Sequence, residues 1–64
     1  MFIEVFVIKE DSYESRTINL HHIKMISSVY NGSLIQFIDG DKITVAQKYE
    51  VLRRVLENNK LCAT

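Results

Sequence analysis

Two glycines, together with the absence of proline, constrain this chain more than any other feature. Its 64 residues contain only Gly32 and Gly40 as glycines and no proline. Asn31 precedes the first glycine and Asp39 the second, and both dipeptides are typical of tight β-hairpin turns. Apolar runs flank both dipeptides within residues 18–45. The spacing predicts a three-strand antiparallel meander that turns at Asn31-Gly32 and Asp39-Gly40. The predicted strands are Lys24–Tyr30, Ser33–Ile38 and Lys42–Val45.

The N-terminal segment, residues 2–8, is apolar on both of its alternating faces. One face carries Ile3, Val5 and Val7, and the other carries Phe2, Glu4, Phe6 and Ile8. A half-exposed strand would alternate apolar with polar side chains, so both faces of this strand are expected to be covered. One helix covers one face of a small sheet. We therefore expect a second subunit on the other face, the alternative being that Phe2 and Phe6 pack on a curled sheet within one chain.

The segment between this strand and the meander is polar. Residues 9–16, KEDSYESR, are predicted to form a loop or hairpin tip in which Tyr13 is the only large apolar side chain. Residues 16–18 are predicted to form a short return strand. Asn19 can then cap a single helical turn over residues 20–23 through its side-chain oxygen, which leaves His21 and His22 nearer to solvent.

The hydrophobic period changes to that of a helix over residues 47–58. The apolar stripe consists of Val51, Leu52, Val55 and Leu56. Glu50 and Arg54 have the i, i+4 spacing of a solvated ion pair. Asn58-Asn59 is expected to end the helix in a left-handed conformation, followed by a tail over residues 61–64. The sequence thus predicts one α+β domain, residues 1–64. It is a small antiparallel β-sheet meander of four to five strands with one C-terminal α-helix packed on one face.

The small size of the domain bears on its assembly. A domain of this length buries only about 60% of the surface that its unfolded chain exposes. Disulfides, metals or partner subunits usually supplement such a core. Cys62 is the only cysteine, which excludes an internal disulfide and is typical of a reducing compartment. Self-association is the supplement that remains, either by stacking two sheets or by joining first strands edge to edge, and we expect a homodimer.

The charge balance and the hydropathy pattern argue against several classes of partner. Eight basic residues balance eight acidic ones, so the chain has no general attraction for nucleic acid or for an anionic membrane. The longest apolar run, Val5–Ile8, is too short to span a bilayer. The N-terminus lacks the basic segment and long apolar core of a signal peptide. The sequence therefore predicts a soluble, cytoplasmic protein.

The chemically capable side chains do not form a recognisable site. His21-His22 are adjacent in a turn and point apart, whereas a zinc site needs three or four convergent ligands. Asp39 and Asp41 flank Gly40 as a tight turn requires, and the further ligands of a calcium loop, even with Glu10-Asp11, are missing. Ser27-Ser28 lack a nucleophile elbow. We expect no catalytic residue, metal or cofactor, and hence no enzyme.

Basic side chains on and near the helix leave a second functional class open. Lys48, Arg53 and Arg54, with Lys42 and Lys60, could form a basic face beside which Tyr49 could stack a base. Helix charges of this kind more often form a solvated face, here neutralised by Glu50 and Glu57. Nucleic-acid binding through Lys48, Arg53 and Arg54 is therefore the alternative function.

The pattern of elements resembles a known family. It is similar to that of the FlbD-like family of small flagellar and swarming-motility proteins. The matching elements are residues 1–5, Ile18-Asn19 with Ile23, residues 34–38, Asp39-Gly40 with Lys42, and Val45 with Tyr49-Glu50-Val51. The resemblance implies a β-hairpin, an amphipathic helix and a bacterial or phage setting. It carries no chemical motif and implies no specific flagellar role, and the charged segment over residues 9–16 is longer than is usual in the family.

The meander is also similar to part of a LytTR-type DNA-binding domain, through Ile23 and Ile26, Asp39-Gly40 and the helix. Those domains are longer and more basic than this chain.

Together the observations predict a small, non-enzymatic protein-interaction or regulatory module that acts as a homo-oligomer. Its predicted partners are a second copy of itself and another protein. The predicted interface is Phe2, Glu4, Phe6 and Ile8.

Overall fold

Five strands and one helix make up the part of the chain that the computed structural model describes, residues 1–59. The elements are β1 (Phe2–Ile8), β2 (Tyr13–Asn19), a 3₁₀ turn (Leu20–His22), β3 (Ile23–Val29), β4 (Gly32–Phe37), β5 (Lys42–Val45) and α1 (Tyr49–Asn58). The sheet is antiparallel and lies with one helix in a small α+β fold, as predicted. Lys60 and the predicted tail with Cys62 lie outside the described residues.

The strand order is β2-β1-β5-β4-β3, so the first strand lies inside the sheet. The meander β3-β4-β5 is present as predicted, and β5 joins it to β1 through the pair Val7 and Val45. β2 pairs with β1 over residues 2–8, whereas β5 pairs with it at Val7 only, beside the hydrogen bond from Ala46 N to Phe6 O. β5 therefore covers this edge of β1 only near its C-terminal end, and the joining of first strands edge to edge stays a prediction.

The core lies on the inner face of the sheet, which is the face that α1 contacts. Alternation along β1 buries Val5 and Val7 completely or nearly so, and Ile3 is half-buried, as the sequence predicts. The buried core cluster is Val5, Val7, Ile18, Ile35, Val45 and Leu52. Burying these side chains supplies the main stabilisation of the fold, since each is worth about 1.5–3 kcal/mol when removed from water.

The polar segment after β1 differs from its prediction. It is a strand from Tyr13 onward, and only residues 9–12 form the turn, in which Lys9 N donates to Ser12 O at 2.8 Å. The prediction that residues 9–16 form a loop or hairpin tip is therefore wrong for residues 13–16, which belong to β2. β2 lies at the edge of the sheet. Backbone pairing with β1 holds its first five residues in place although their side chains remain exposed.

The two predicted hairpin turns are present, the first of them displaced by one residue. Tyr30 and Asn31 are the turn residues, and Gly32 already pairs with Val29 at the start of β4. A Cβ atom on Gly32 would overlap the carbonyl oxygen of Val45, so glycine is required there for close backbone approach. Gly40 has φ +99°, a turn conformation that glycine adopts readily, as predicted.

The helix packs through one face as predicted, but several details of the prediction are wrong. Leu52 and Leu56 are buried and Val55 is half-buried, whereas Val51 is 53% exposed because it lies at the margin of the stripe. The helix begins at Tyr49 rather than at residue 47. Its ion pair joins Arg53 Nε to Glu57 Oε1 at 2.7 Å, and not Glu50 to Arg54 within the described chain.

The two capping predictions have opposite outcomes. Asn59 has φ −99°, so the predicted left-handed end of the helix is wrong. Its amide nitrogen Nδ2 instead donates to Val55 O at 2.8 Å. Asn19 caps the 3₁₀ turn as predicted, because its Oδ1 accepts a hydrogen bond from His21 N at 3.0 Å. Leu20 is buried and both histidines are exposed.

Candidate functional site

The outer face of β1 carries two exposed phenylalanine side chains. Phe2 is 65% exposed and Phe6 is 45% exposed, and both project away from the buried Val5 and Val7. The "β1 face" denotes Phe2, Glu4, Phe6 and Ile8, which alternation places on one side of the strand. Glu4 is exposed between the aromatic rings, and its carboxylate accepts a hydrogen bond from the hydroxyl of Ser15.

Both backbone polar groups of Phe6 are hydrogen-bonded, which fixes where its ring projects. Ala46 N donates to Phe6 O at 2.8 Å, and Phe6 N donates to the side-chain Oε1 of Gln47 at 3.2 Å. The backbone oxygen of Gln47 accepts from Ser33 Oγ at 2.7 Å, and Ser33 is completely buried. The connection between β5 and α1 therefore ties a buried serine to the aromatic residue on the outer face.

Tyr13 extends the apolar surface beyond β1 and was missed as a site residue. It pairs with Ile8 in the register of β1 and β2, is 66% exposed, and lines a shallow depression with Phe6 and Ala46. The sequence predicts Tyr13 in the loop or hairpin tip over residues 9–16. Residues 13–17 show no hydrophobic alternation in the sequence, so the position of Tyr13 beside the β1 face follows only from the pairing of β1 with β2.

A cleft opens where β1 begins. It has a volume of about 560 Å³, and its rim includes Phe2, His22, Ile38, Asp39 and Asp41. The side chain of Asp39 is engaged within its own turn, because its Oδ1 accepts from Asp41 N at 3.0 Å. This bond is the turn chemistry that the sequence indicates for the two aspartates.

The other chemically capable groups are dispersed. Glu10 and Asp11 lie in the turn at the far end of the β1–β2 hairpin from this cleft. Ser28 borders a different hollow, beside Lys48 and Tyr49, which contains no histidine. Within residues 1–59 no three side chains of histidine, cysteine, aspartate or glutamate come together as metal ligands would.

The basic side chains proposed to contact nucleic acid are exposed but interleaved with acids. Arg53 and Arg54 line one shallow surface together with Glu50 and Glu57, and Arg53 is already paired with Glu57. Lys48 lies just before α1 and is exposed. The local field above this part of the helix is therefore of mixed sign, which offers a phosphate backbone less attraction than three free cations would.

No helix in the described part of the chain has both the length and the apolar character needed to cross a membrane.

The candidate site is an apolar sheet face formed by the β1 face and Tyr13. In comparisons with known proteins, no family model, no curated protein and no solved structure matches this chain.

Proposed function

We propose that this chain is a small, non-enzymatic protein-interaction module that acts as a homo-oligomer, with the β1 face at the contact. One observation carries the proposal: Phe2 and Phe6 are 65% and 45% exposed on a sheet face that α1 does not cover. Contiguous exposed apolar surface marks interaction sites on small proteins. Aromatic side chains are also enriched at the centres of protein interfaces.

The rigidity of the surface supports the same proposal. Phe6 belongs to an internal strand whose backbone hydrogen bonds are made on both sides, by β2 and by residues 46 and 47. Preorganised side chains lose less conformational freedom on binding than side chains on mobile loops. The β1 face therefore presents its rings to a partner at little entropic cost.

Nucleic-acid binding by Lys48, Arg53 and Arg54 has less support, since Glu57 already engages Arg53. A regulatory role, a cytoplasmic location and a relationship to FlbD-like proteins stay predictions from the sequence. The partner that the β1 face fits best is a second apolar sheet face, and a second copy of this chain supplies one.

The test is to place a charge in the contact. Phe6→Glu is expected to lower the mass measured by sedimentation while circular dichroism still shows the fold. Val51→Glu is the matched control, because it changes an exposed apolar residue to an acid on the helix surface, away from β1. Retention of the wild-type mass by folded Phe6→Glu would place the contact elsewhere.

A further inference from the structure

We propose that a second copy of this chain also pairs with the free edge of β2, antiparallel and centred on Ser15, so that two sheets join into one. In the described structure β2 is an edge strand with β1 as its single neighbour. It is seven residues long, and its register against β1 is unbroken. The opposite edge, β3, carries an irregularity between Ile23 and Met25. A regular edge presents a row of backbone groups ready to pair.

Hydrogen bonds at the two ends of the hairpin show which backbone groups face this edge. Lys9 N donates to Ser12 O at 2.8 Å, and Leu20 N donates to Met1 O at 2.9 Å. In an antiparallel pair such hydrogen-bonded positions alternate along the strand. The even-numbered residues of β2 therefore turn their N–H and C=O groups toward β1. Within residues 13–17, the residues that turn them toward the free edge are Tyr13, Ser15 and Thr17.

A two-fold arrangement centred on Ser15 uses these free groups in full. It places Ser15 opposite Ser15 of the second copy, and Tyr13 opposite Thr17 of the second copy, in hydrogen-bonded pairs. The pairs between them, which are not hydrogen-bonded, then bring Glu14 opposite Arg16 of the second copy. Side chains approach more closely in pairs of this second kind.

The charges of β2 select this register. Glu14 and Arg16 lie on the same side of the strand, where Arg16 Nη2 is 2.7 Å from Glu14 Oε2, and both are exposed. In the proposed pair the four charges of two copies alternate in sign. Only odd-numbered residues can form hydrogen-bonded pairs across this edge. The two neighbouring registers are therefore shifted by two residues from the proposed one. Those registers oppose Glu14 to Glu14 or Arg16 to Arg16, and opposed like charges are destabilising.

The uncharged side of the strand is complementary as well. Tyr13 is 66% exposed, and the pair would set its ring against the β-branched Thr17 of the second copy. Aromatic and β-branched residues form favourable cross-strand pairs. Charged residues usually keep edge strands from pairing. Here the charges of Glu14 and Arg16 disfavour other registers and other partner strands, and they permit one self-complementary pairing of two copies of β2. The backbone edge of β2 adjoins the β1 face, since Tyr13 and Ser15 pair with Ile8 and Phe6, but it is a separate contact made by main-chain groups.

A cross-linking experiment tests the register directly. The variant is Ser15→Cys combined with Cys62→Ser, so that the introduced thiol is the only one. Cα atoms in a hydrogen-bonded antiparallel pair are about 5.5 Å apart, which lies within the range of a disulfide. Thr17→Cys in the same background is the matched control, because its two copies would be offset by four residues, or about 13 Å along the strand. Mild oxidation should link the Ser15→Cys chains several-fold faster than the Thr17→Cys chains.

Exchanging the charges of Glu14 and Arg16 gives a second test of the register. Glu14→Arg and Arg16→Glu, each added to the Ser15→Cys, Cys62→Ser chain, should each lose cross-linking alone. An equal mixture of the two should recover it as heterodimers, because each acid then faces a base although neither chain has its internal ion pair. Equal linking by Ser15→Cys and Thr17→Cys, or no recovery on mixing, overturns the proposal.

A third arm separates the edge contact from the β1 face. Adding Phe6→Glu to the Ser15→Cys chain should leave cross-linking intact, because Phe6 lies on the β1 side of Ser15, one strand away from β2 of the second copy. Loss of Ser15 cross-linking in a wild-type-like oligomer would overturn the edge contact and leave the β1-face proposal standing. Cross-linking that persists while Phe6→Glu leaves the sedimenting mass unchanged would support the edge contact and count against the β1 face.

Discussion

Replacing Gly32 by alanine tests the close approach between β4 and the end of β5. A Cβ atom there would overlap the carbonyl oxygen of Val45 and would lie 3.0 Å from the Val45 carbonyl carbon and 3.2 Å from Ala46 Cα. All three are backbone atoms, so no side chain can rotate away. The strands must instead separate beside Ser33 and Val45, which are paired and completely buried.

The expected loss is large for a domain of this size. Overpacking a core costs about 1–3 kcal/mol, and leaving a buried hydroxyl without its acceptor costs about 1–3 kcal/mol more. Strand separation at Ser33 threatens the bond from its Oγ to Gln47 O. Gly32→Ala should therefore lose about 2–6 kcal/mol, against a total stability of about 3–10 kcal/mol for a chain of this length.

Gly40→Ala is the matched control. Gly40 has φ +99° but no atom within 4 Å of an added Cβ, so only the backbone conformation opposes the change. That conformation costs about 1–2 kcal/mol for an L-residue. Urea denaturation of both variants compares the two costs. A Gly32→Ala loss smaller than that of Gly40→Ala would refute the close approach of β4 to Val45.

Two further stability predictions concern α1 and the 3₁₀ turn. Leu52→Ala should lose about 2–5 kcal/mol because its side chain is buried in the core, whereas Val51→Ala should stay within about 0.5 kcal/mol of wild type. Equal thermal shifts in the two variants would contradict the observed orientation of the helix. Asn19→Ala should lose about 0.5–2 kcal/mol through its bond to His21 N, and Asn19→Ser should restore most of it. No loss in Asn19→Ala would show that the cap contributes nothing.

The self-pairing of β2 is the prediction with the most specific geometry. It expects disulfide formation at residue 15 and none of comparable rate at residue 17, because antiparallel register about Ser15 brings only the first pair together.

Local patterns predicted those parts of the fold in which side-chain burial follows the backbone period. Val5 and Val7 alternate with exposed neighbours along β1, and Leu52 and Leu56 recur at helical spacing in α1. The Asp39-Gly40 turn follows from residues that tolerate positive φ. Each of these signals depends on a few adjacent residues, and for that reason a single sequence carries it.

Long-range features had no such signal. The pairing of β1 with β5 depends on Val7 meeting Val45, and it makes β1 an internal strand. The first five residues of β2 are exposed, so the sequence shows no hydrophobic alternation that predicts this strand. Gly32 looked like a turn glycine but is required by the nearby Val45 carbonyl group. Of the candidate site, exposure of Phe2 and Phe6 followed from alternation, whereas the contribution of Tyr13 needed the strand pairing.

The mass of the wild-type chain in solution tests the central claim most directly. Static light scattering at micromolar concentration compares the particle mass with the 7.5 kDa of one chain. Self-association through the β1 face predicts a mass of at least two chains, falling when Phe6→Glu is introduced and unchanged by Val51→Glu. A particle of 7.5 kDa for the wild-type chain throughout the micromolar range would contradict it.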